Sequence, residues 1–234
     1  MVKEAISAVR QKIALAAHRV GRSPDEVALM AVTKTVEAGR IREAYEAGLR
    51  LFGENRLQEF SEKFEMLAGL KGAEWHLIGH LQSNKAKKAA ELFSAIDSVD
   101  SLRLAEKLNQ SAEQAGKKLP VLIEIKIGEE ESKAGIPLDS PELENLFRAA
   151  PKLEHLQIRG LMTIPPFTEN SEGVRPYFRL LRDLRDRIAG RKLPSVQMDV
   201  LSMGMSHDFE VAIEEGSTCV RVGTAIFGAR PKPA

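Results

Sequence analysis

Short apolar, β-branched runs recur along the chain at 27–33 (VALMAVT), 50–53 (RLFG), 74–79 (EWHLIG), 94–99 (SAIDSV), 121–127 (VLIEIKI), 156–163 (LQIRGLMT), 196–202 (VQMDVLS) and 218–223 (TCVRVG). Between them apolar residues return at helical spacing. Leu57, Phe60, Phe64 and Leu67 fall on one face, Leu104 and Leu108 on another, and Phe178, Leu181, Leu184 and Ile188 make a third stripe with Arg182, Asp183, Arg185 and Asp186 between or opposite. Ser23-Pro24 and Ser140-Pro141 read as an N-cap followed by an N1 proline, each opening a helix. Ahead of the first run, Ile6, Val9, Ile13, Ala16 and Val20 describe an amphipathic helix docked on the domain. Eight strand–helix units after a leading helix predict a single (β/α)8 TIM barrel spanning residues 1–234, with that extra N-terminal helix and no second β domain. The competing architecture, a doubly wound open sheet, lacks its G-x-G-x-x-G at the first strand–helix turn.

Helices sheath a barrel, so outward strand faces must be apolar and polar strand residues point inward. In 121–127 the outward set is Val121, Ile123, Ile125 and Ile127, which leaves Glu124 and Lys126 inside. Lys34 shares a side with Ala28, Met30 and Val32, and Arg221, alternating with Val220 and Val222, also points inward. Arg159 and Asp199 are expected to join Glu124 in an interior ion-pair network, because buried charges need partners.

Composition narrows the function. The 34 Lys and Arg against 33 Asp and Glu leave a net charge of +1, without the basic excess that phosphate-backbone binding usually demands. The single cysteine, Cys219, excludes a disulfide framework and a cysteine zinc site, and its place within a strand reads as a buried inert thiol. No run approaches the roughly 20 apolar residues of a membrane span, and Lys3, Glu4, Arg10, Lys12 and Arg19 interrupt the N-terminus where a signal peptide would be apolar. These features predict a soluble, cytoplasmic, reduced protein without nucleic-acid or membrane partners.

Barrel chemistry sits at the C-terminal ends of the strands. Those ends read Lys34; Gly53-Glu54-Asn55; Gly79-His80; Met162-Thr163; Ser202-Met203-Gly204-Met205-Ser206; and Arg221-Val222-Gly223-Thr224. Lys34 closes an apolar strand near Arg221, and desolvation plus a neighbouring cation both favour the neutral amine that forms a Schiff base with an aldehyde; the alternative is a strand-end lysine snorkelling to solvent. Gly204 and Gly223 permit close backbone approach and Ser206 and Thr224 supply hydroxyls, the composition of a phosphate cup. Ser206 is placed to cap a helix beginning His207-Asp208-Phe209, and residues 224–228 fit the short extra helix that accompanies phosphate in many barrels; two ordinary glycine turns with one N-cap remain the plainer reading. His18, His76, His80, His155 and His207 form no H-E-x-x-H, and no G-x-S-x-G or P-loop occurs, so no metal site or hydrolytic nucleophile is expected. A lysine and a phosphate cup across one mouth suggest a cofactor carrying both aldehyde and phosphate, with pyridoxal 5′-phosphate the candidate. Arg221 would face its pyridine nitrogen and keep it unprotonated, weakening the ring as an electron sink.

The same residues resemble the YggS/PROSC family of pyridoxal phosphate homeostasis proteins. Ala31-Val32-Thr33-Lys34-Thr35 is similar to its cofactor-lysine segment, Phe52-Gly53-Glu54-Asn55 with Gln58-Glu59 to its second motif, and Trp75 through Lys85 to its third. Glu131-Ser132-Lys133-Ala134-Gly135, Gly160-Leu161-Met162, Leu201 through Ser206 and Arg221 through Gly228 extend the likeness along nearly the whole chain. The resemblance implies a monomeric barrel of the alanine racemase N-terminal-domain type holding pyridoxal phosphate on Lys34, with Asn55, Ser206, Arg221, Gly223 and Thr224 on the cofactor and Met203 and Gly204 in the phosphate-side loop. It implies no established catalytic activity, but intracellular buffering of the cofactor or its delivery to pyridoxal-phosphate-dependent apo-enzymes. Lys126 departs from the asparagine of many members. Lys133 matches a family lysine and also suits a solvated loop.

Racemisation needs a base on each face of the substrate carbanion. Lys34 supplies one; in alanine racemases the other is a tyrosine from a second domain of the partner subunit. Tyr45 and Tyr177 both fall in helices of the outer ring, which predicts binding without efficient turnover. A slow amino-acid racemase, with His80 or water as second base, and a cofactor-free Schiff-base lyase are the alternatives.

Overall fold

The computed structural model describes residues 1–128 and 134–229. Helix α1 (Val2–Arg19) leads, followed by β1 (Ala28–Val32), α2 (Ala38–Glu46), β2 (Leu51–Glu54), α3 (Leu57–Leu67), β3 (Glu74–Leu77), α4 (Ala86–Leu92), β4 (Ala95–Val99), α5 (Leu102–Gln114) and β5 (Leu119–Lys126). A two-residue β6 (Ile136–Pro137) precedes α6 (Pro141–Ala149), β7 (Leu156–Met162), α7 (Arg175–Gly190), β8 (Val196–Met205), α8 (Phe209–Glu214), β9 (Cys219–Val222) and α9 (Thr224–Phe227). The strands run β4-β3-β2-β1-β9-β8-β7-β5, all parallel, and a β4–β5 pairing closes the ring. Closure excludes the open doubly wound sheet: the fold is an eight-stranded (β/α)8 barrel, with β6 appended to β5 alone.

Strand parity divides the core in two. Val121, Ile123 and Ile125 join Phe178, Leu181, Leu184 and Ile188 in the large layer between strands and helices. Phe60 of α3 contacts Trp75 at 4.9 Å and Phe93 at 4.7 Å, and Phe52 stacks on Trp75 at 4.8 Å, so aromatic rings lock α3 and α4 onto β2 and β3. Inside the barrel lies a smaller cluster of Met30, Ile78 and Cys219, packed by Val32, Leu51 and Val200. Ser23 and Ser140 accept the expected capping bonds from Asp25 and Leu143. Helix α1 buries Ile6, Val9, Ile13 and Ala16 against α8 and α9, and Arg19 pairs with Glu210 and Glu214. Val20, expected on that face, is exposed because the helix ends at Arg19 and the chain turns away. No helix among the described residues is long and apolar enough to cross a membrane.

Two expectations about the interior need correction. Arg159 and Asp199 do pair, at 3.3 Å, but their side chains are 40% and 63% exposed. The β7–β8 register shifts beside them, which leaves the pair on the N-terminal rim rather than filling the barrel. Glu124 is buried at 5% exposure, yet it joins no ion pair among the described residues and its Oε2 has no hydrogen-bond partner. Burial and the nearby Asp100 carboxylate push its pKa up to about 7, with Arg221 and His80 opposing, so protonation relieves what pairing does not. Lys133, with Glu131 and Ser132, lies outside the described residues.

Candidate cofactor site at the C-terminal mouth

The C-terminal ends of β1, β2, β8 and β9 converge on a cleft of about 220 Å³. It is lined by Lys34, Asn55, Ser206, Arg221, Gly223 and Thr224, six of the residues singled out from sequence, now in one place. Met203 and Gly204 do not line it. Met203 is fully buried in the layer between barrel and helices. Gly204 adopts φ +95°, and a Cβ there would lie 2.5 Å from Ala212 Cβ and 3.0 Å from Phe209 Cα, so this glycine lets α8 approach β8.

Lys34 stands in a turn two residues beyond the end of β1 rather than closing the strand, and it is half-buried. Val36 N–H returns to Thr33 O at 3.0 Å, and Thr35 takes φ +60°, an unusual conformation for a β-branched residue. Asn55 follows β2, where a Cβ on Gly79 would fall 2.2 Å from the Asn55 carbonyl oxygen; only glycine lets the two loops meet this closely.

Across the cleft, Arg221 is 3% exposed. Its Nη1 donates to Ser202 O at 2.8 Å and Ser202 Oγ at 2.7 Å, and its Nη2 donates to Thr163 O at 2.7 Å. These bonds fix the plane of the guanidinium. Burial lowers its pKa from the usual arginine value, while Cys219, Asp97, Glu124 and Asp208 oppose the shift.

Ser206 does not cap α8. The Asp208 carboxylate instead accepts the Met205 N–H at 2.6 Å, and the helix starts at Phe209. The freed Ser206 hydroxyl accepts the N–H groups of Gly223 and Ala225, both at 3.3 Å. Two backbone donors and two hydroxyls, Ser206 and Thr224, thus converge where Gly223 caps α9, the short helix expected at 224–228. This donor set suits a phosphate, whose oxygens accept hydrogen bonds from backbone amides and hydroxyls. A primary amine opposite such a cup fits a molecule with an electrophilic carbonyl at one end and a phosphate at the other.

Residues 5–231 match the family model of the alanine racemase N-terminal domain. The chain is 48% identical over 228 residues to the pyridoxal phosphate homeostasis protein of Escherichia coli K12, covering 96% of this chain and 95% of that protein. The chain belongs to the YggS/PROSC family of pyridoxal phosphate homeostasis proteins. Its counterpart in Aquifex aeolicus is 46% identical over 227 residues, covering 97% of each. PipY of Synechococcus elongatus PCC7942, solved with PLP bound, superposes with a TM-score of 0.83 at 37% identity, covering 97% of this chain and all of that one. An alanine racemase from Clostridium difficile 630 shares the fold, with a TM-score of 0.68 at 17% identity, covering 95% of this chain and 56% of the racemase.

Some cleft residues carried no sequence signal. Ile164, His207 and Phe227 line it from loops and from α9, where no periodicity reports which way a side chain points, and Met205 joins them from the last position of β8. His207 Nε2 lies 3.1 Å from Glu169 O. His80, considered as a second base, pairs with Asp100 at 2.8 Å, is largely exposed, and does not line the cleft. Tyr45 donates to Lys71 O on the outer helical ring, and Tyr177 packs against the outer core.

Proposed function

We propose that the chain binds pyridoxal 5′-phosphate at this cleft, covalently through Lys34, and acts in pyridoxal phosphate homeostasis as a monomeric, cytoplasmic carrier that buffers the cofactor and passes it to dependent apo-enzymes. The observation that carries the reading is the pairing of the Lys34 amine with the Gly223–Ala225 amides and the Ser206 and Thr224 hydroxyls across a single cleft. Pyridoxal phosphate supplies an aldehyde that condenses with a primary amine, with loss of water, and a ring that can accept electrons.

The residues divide that task. Gly223, Thr224 and Ser206 hold the phosphate through hydrogen bonds to a charged acceptor, and Gly204, by admitting α8 and its preceding loop, shapes the segment that carries Ser206. Asn55 reaches the cleft from β2. Arg221, immobilised by Ser202 and Thr163, would offer a fixed cation to the ring nitrogen of a bound cofactor. A proton placed beside that cation would be costly, so a ring nitrogen held there would stay neutral and the ring would draw electrons weakly. That arrangement retains a cofactor better than it activates a substrate.

The relatives named pyridoxal phosphate homeostasis protein and the PLP-bound PipY support the reading. A second reading, slow amino-acid chemistry, has one observation in its favour: His207 lines the same cleft as Lys34 and could serve as a second base. One experiment separates them. Cofactor-loaded protein is mixed with a pyridoxal-phosphate-dependent apo-enzyme, and the same preparation is incubated with L-alanine in deuterated water. A carrier restores apo-enzyme activity without exchanging or racemising alanine; deuterium at the α-carbon, lost in a His207→Gln variant, would support the enzyme reading instead.

A further inference from the structure

The motif Phe52-Gly53-Glu54-Asn55 with Gln58-Glu59 reaches the cleft only through Asn55. Its two carboxylates do something else. Glu54 is fully buried at the end of β2, and its Oε1 accepts from Thr33 Oγ1 at 2.7 Å and from Lys63 Nζ at 2.9 Å. Lys63, itself buried on α3, also donates to the Thr33 carbonyl at 3.1 Å and to Glu59 Oε1 at 2.9 Å. Glu59 Oε1 in turn accepts the Thr35 N–H at 2.5 Å.

The Thr33 carbonyl belongs to the peptide group entering Lys34, and the Thr35 N–H to the one leaving it. Both peptide planes that flank the Lys34 Cα are therefore held from one face of α3, by residues four apart whose side chains bond to each other. Fixing two successive peptide planes fixes φ and ψ of the residue between them, and with them the direction of its Cα–Cβ bond. The Val36 N–H to Thr33 O bond closes the turn, and Glu59 supplies the acceptor that holds the Thr35 N–H in its left-handed conformation. A network that served only to neutralise Glu54 would require the Lys63–Glu54 contact alone.

We propose that Lys63 is a positioning residue, which together with Glu54 and Glu59 clamps the Thr33–Lys34–Thr35 turn so that the Lys34 amine is presented to the cleft in bond-forming geometry. The inference rests on the reading of Lys34 as the covalent anchor. The phosphate cup stands on β8, β9 and α9, and shares no residue with the clamp. Loss of the clamp therefore damages covalent capture and spares phosphate recognition.

The test compares affinities for pyridoxal 5′-phosphate and for pyridoxine 5′-phosphate, which has the same ring and phosphate but an alcohol in place of the aldehyde. In Lys63→Met, the aldehyde ligand is expected to bind about tenfold more weakly while the alcohol ligand changes less than about twofold. The fraction trapped on Lys34 by borohydride falls with it. Lys63→Arg, which keeps the charge and donors, restores part of the loss. Because Lys63→Met strands Glu54, the double variant Lys63→Met/Glu54→Gln and the half-buried Glu59→Ala provide folded alternatives, and each should show the same split. Parallel loss of both ligands, or no loss of either, would overturn the proposal and leave Lys63 as a structural ion. If the wild-type protein does not prefer the aldehyde ligand and traps nothing on Lys34, the anchor reading itself falls, and the clamp falls with it.

Discussion

The barrel has a cavity at each end, of similar size and opposite character. The N-terminal one, about 260 Å³, is lined by Ala28, Ala95, Pro120 and Leu122 and by His76, Asp97, Arg159 and Cys219. Its charged side chains are paired: His76 Nδ1 bonds Asp97 at 3.1 Å, and Arg159 reaches Asp199 at the rim, though Arg159 Nε is buried without a hydrogen-bond partner. Burial and the nearby Asp97 carboxylate push the Cys219 thiol up to about 12, with Arg221 and Ser202 opposing, so it is an inert wall group. At the C-terminal mouth, by contrast, the backbone N–H groups of Gly223 and Ala225 are gathered on the Ser206 hydroxyl, both at 3.3 Å, beside Thr224 in a cleft that also holds Lys34 and Arg221. The difference follows from strand direction. Parallel strands deliver the chain to helix N-termini at one end only, and helix N-termini carry N–H groups with no partner inside the helix. Side chains can be paired off at either mouth; amides gathered on a hydroxyl at a helix start arise at one.

The contrast is open to attack in order of effect. The largest change is expected from Lys34→Ala, which should abolish borohydride-trapped pyridoxyl label while measurable affinity for pyridoxine 5′-phosphate persists; retention of the label would move the anchor elsewhere. Next, Ser206→Ala with Thr224→Ala should weaken both phosphorylated ligands, each lost bond to a charged acceptor contributing about 1.5–3 kcal/mol, as read by calorimetric titration. An unchanged affinity would place the phosphate outside the cup.

Glu124, on the inner wall near Arg221, gives a pH signature. Its folded pKa of about 7 lies above its ordinary 4.5. The folded state therefore binds the extra proton, so burial of the charged form is no penalty below about pH 4.5 and becomes one as pH rises through 7. Glu124→Gln should stabilise the protein by about 3 kcal/mol at pH 8 and by almost nothing at pH 4.5, measured by urea denaturation. The smallest effect belongs to the N-terminal rim. Arg159→Gln breaks a solvent-exposed pair worth about 0–1 kcal/mol and should leave cofactor affinity unchanged. A cofactor effect from that variant would mean the two mouths are coupled.

Much of this was legible in the chain because barrels convert sequence parity into position. Arg221 falls on the inward parity of its strand, Lys34 continues the inward parity of β1 into the turn beyond it, and Asn55, Ser206, Gly223 and Thr224 follow strand ends, so the sequence pattern alone brings them to one mouth. The same logic misplaced Arg159 and Asp199, because parity holds only while the register does, and the β7–β8 register shifts beside them. Ser206 looked like an N-cap by type and spacing, but the helix starts only after Asp208, whose carboxylate accepts the Met205 N–H, and the Ser206 hydroxyl turns to Gly223 and Ala225 instead. The Lys63 clamp was hidden for another reason. Its partners come from the end of β2, the turn after β1 and one face of α3, and the lysine interrupts a helix stripe that otherwise reads as plain core. His207 reaches the cleft from a turn and Phe227 from the four-residue α9, both too short for spacing to carry a direction.

The most direct test of the central claim is reduction of the wild-type protein with borohydride after incubation with pyridoxal 5′-phosphate, followed by peptide mapping. Pyridoxyl on the peptide containing Lys34, with bleaching of a visible absorption band, is the predicted result. Label on another lysine, or a colourless protein that takes up none, would contradict it.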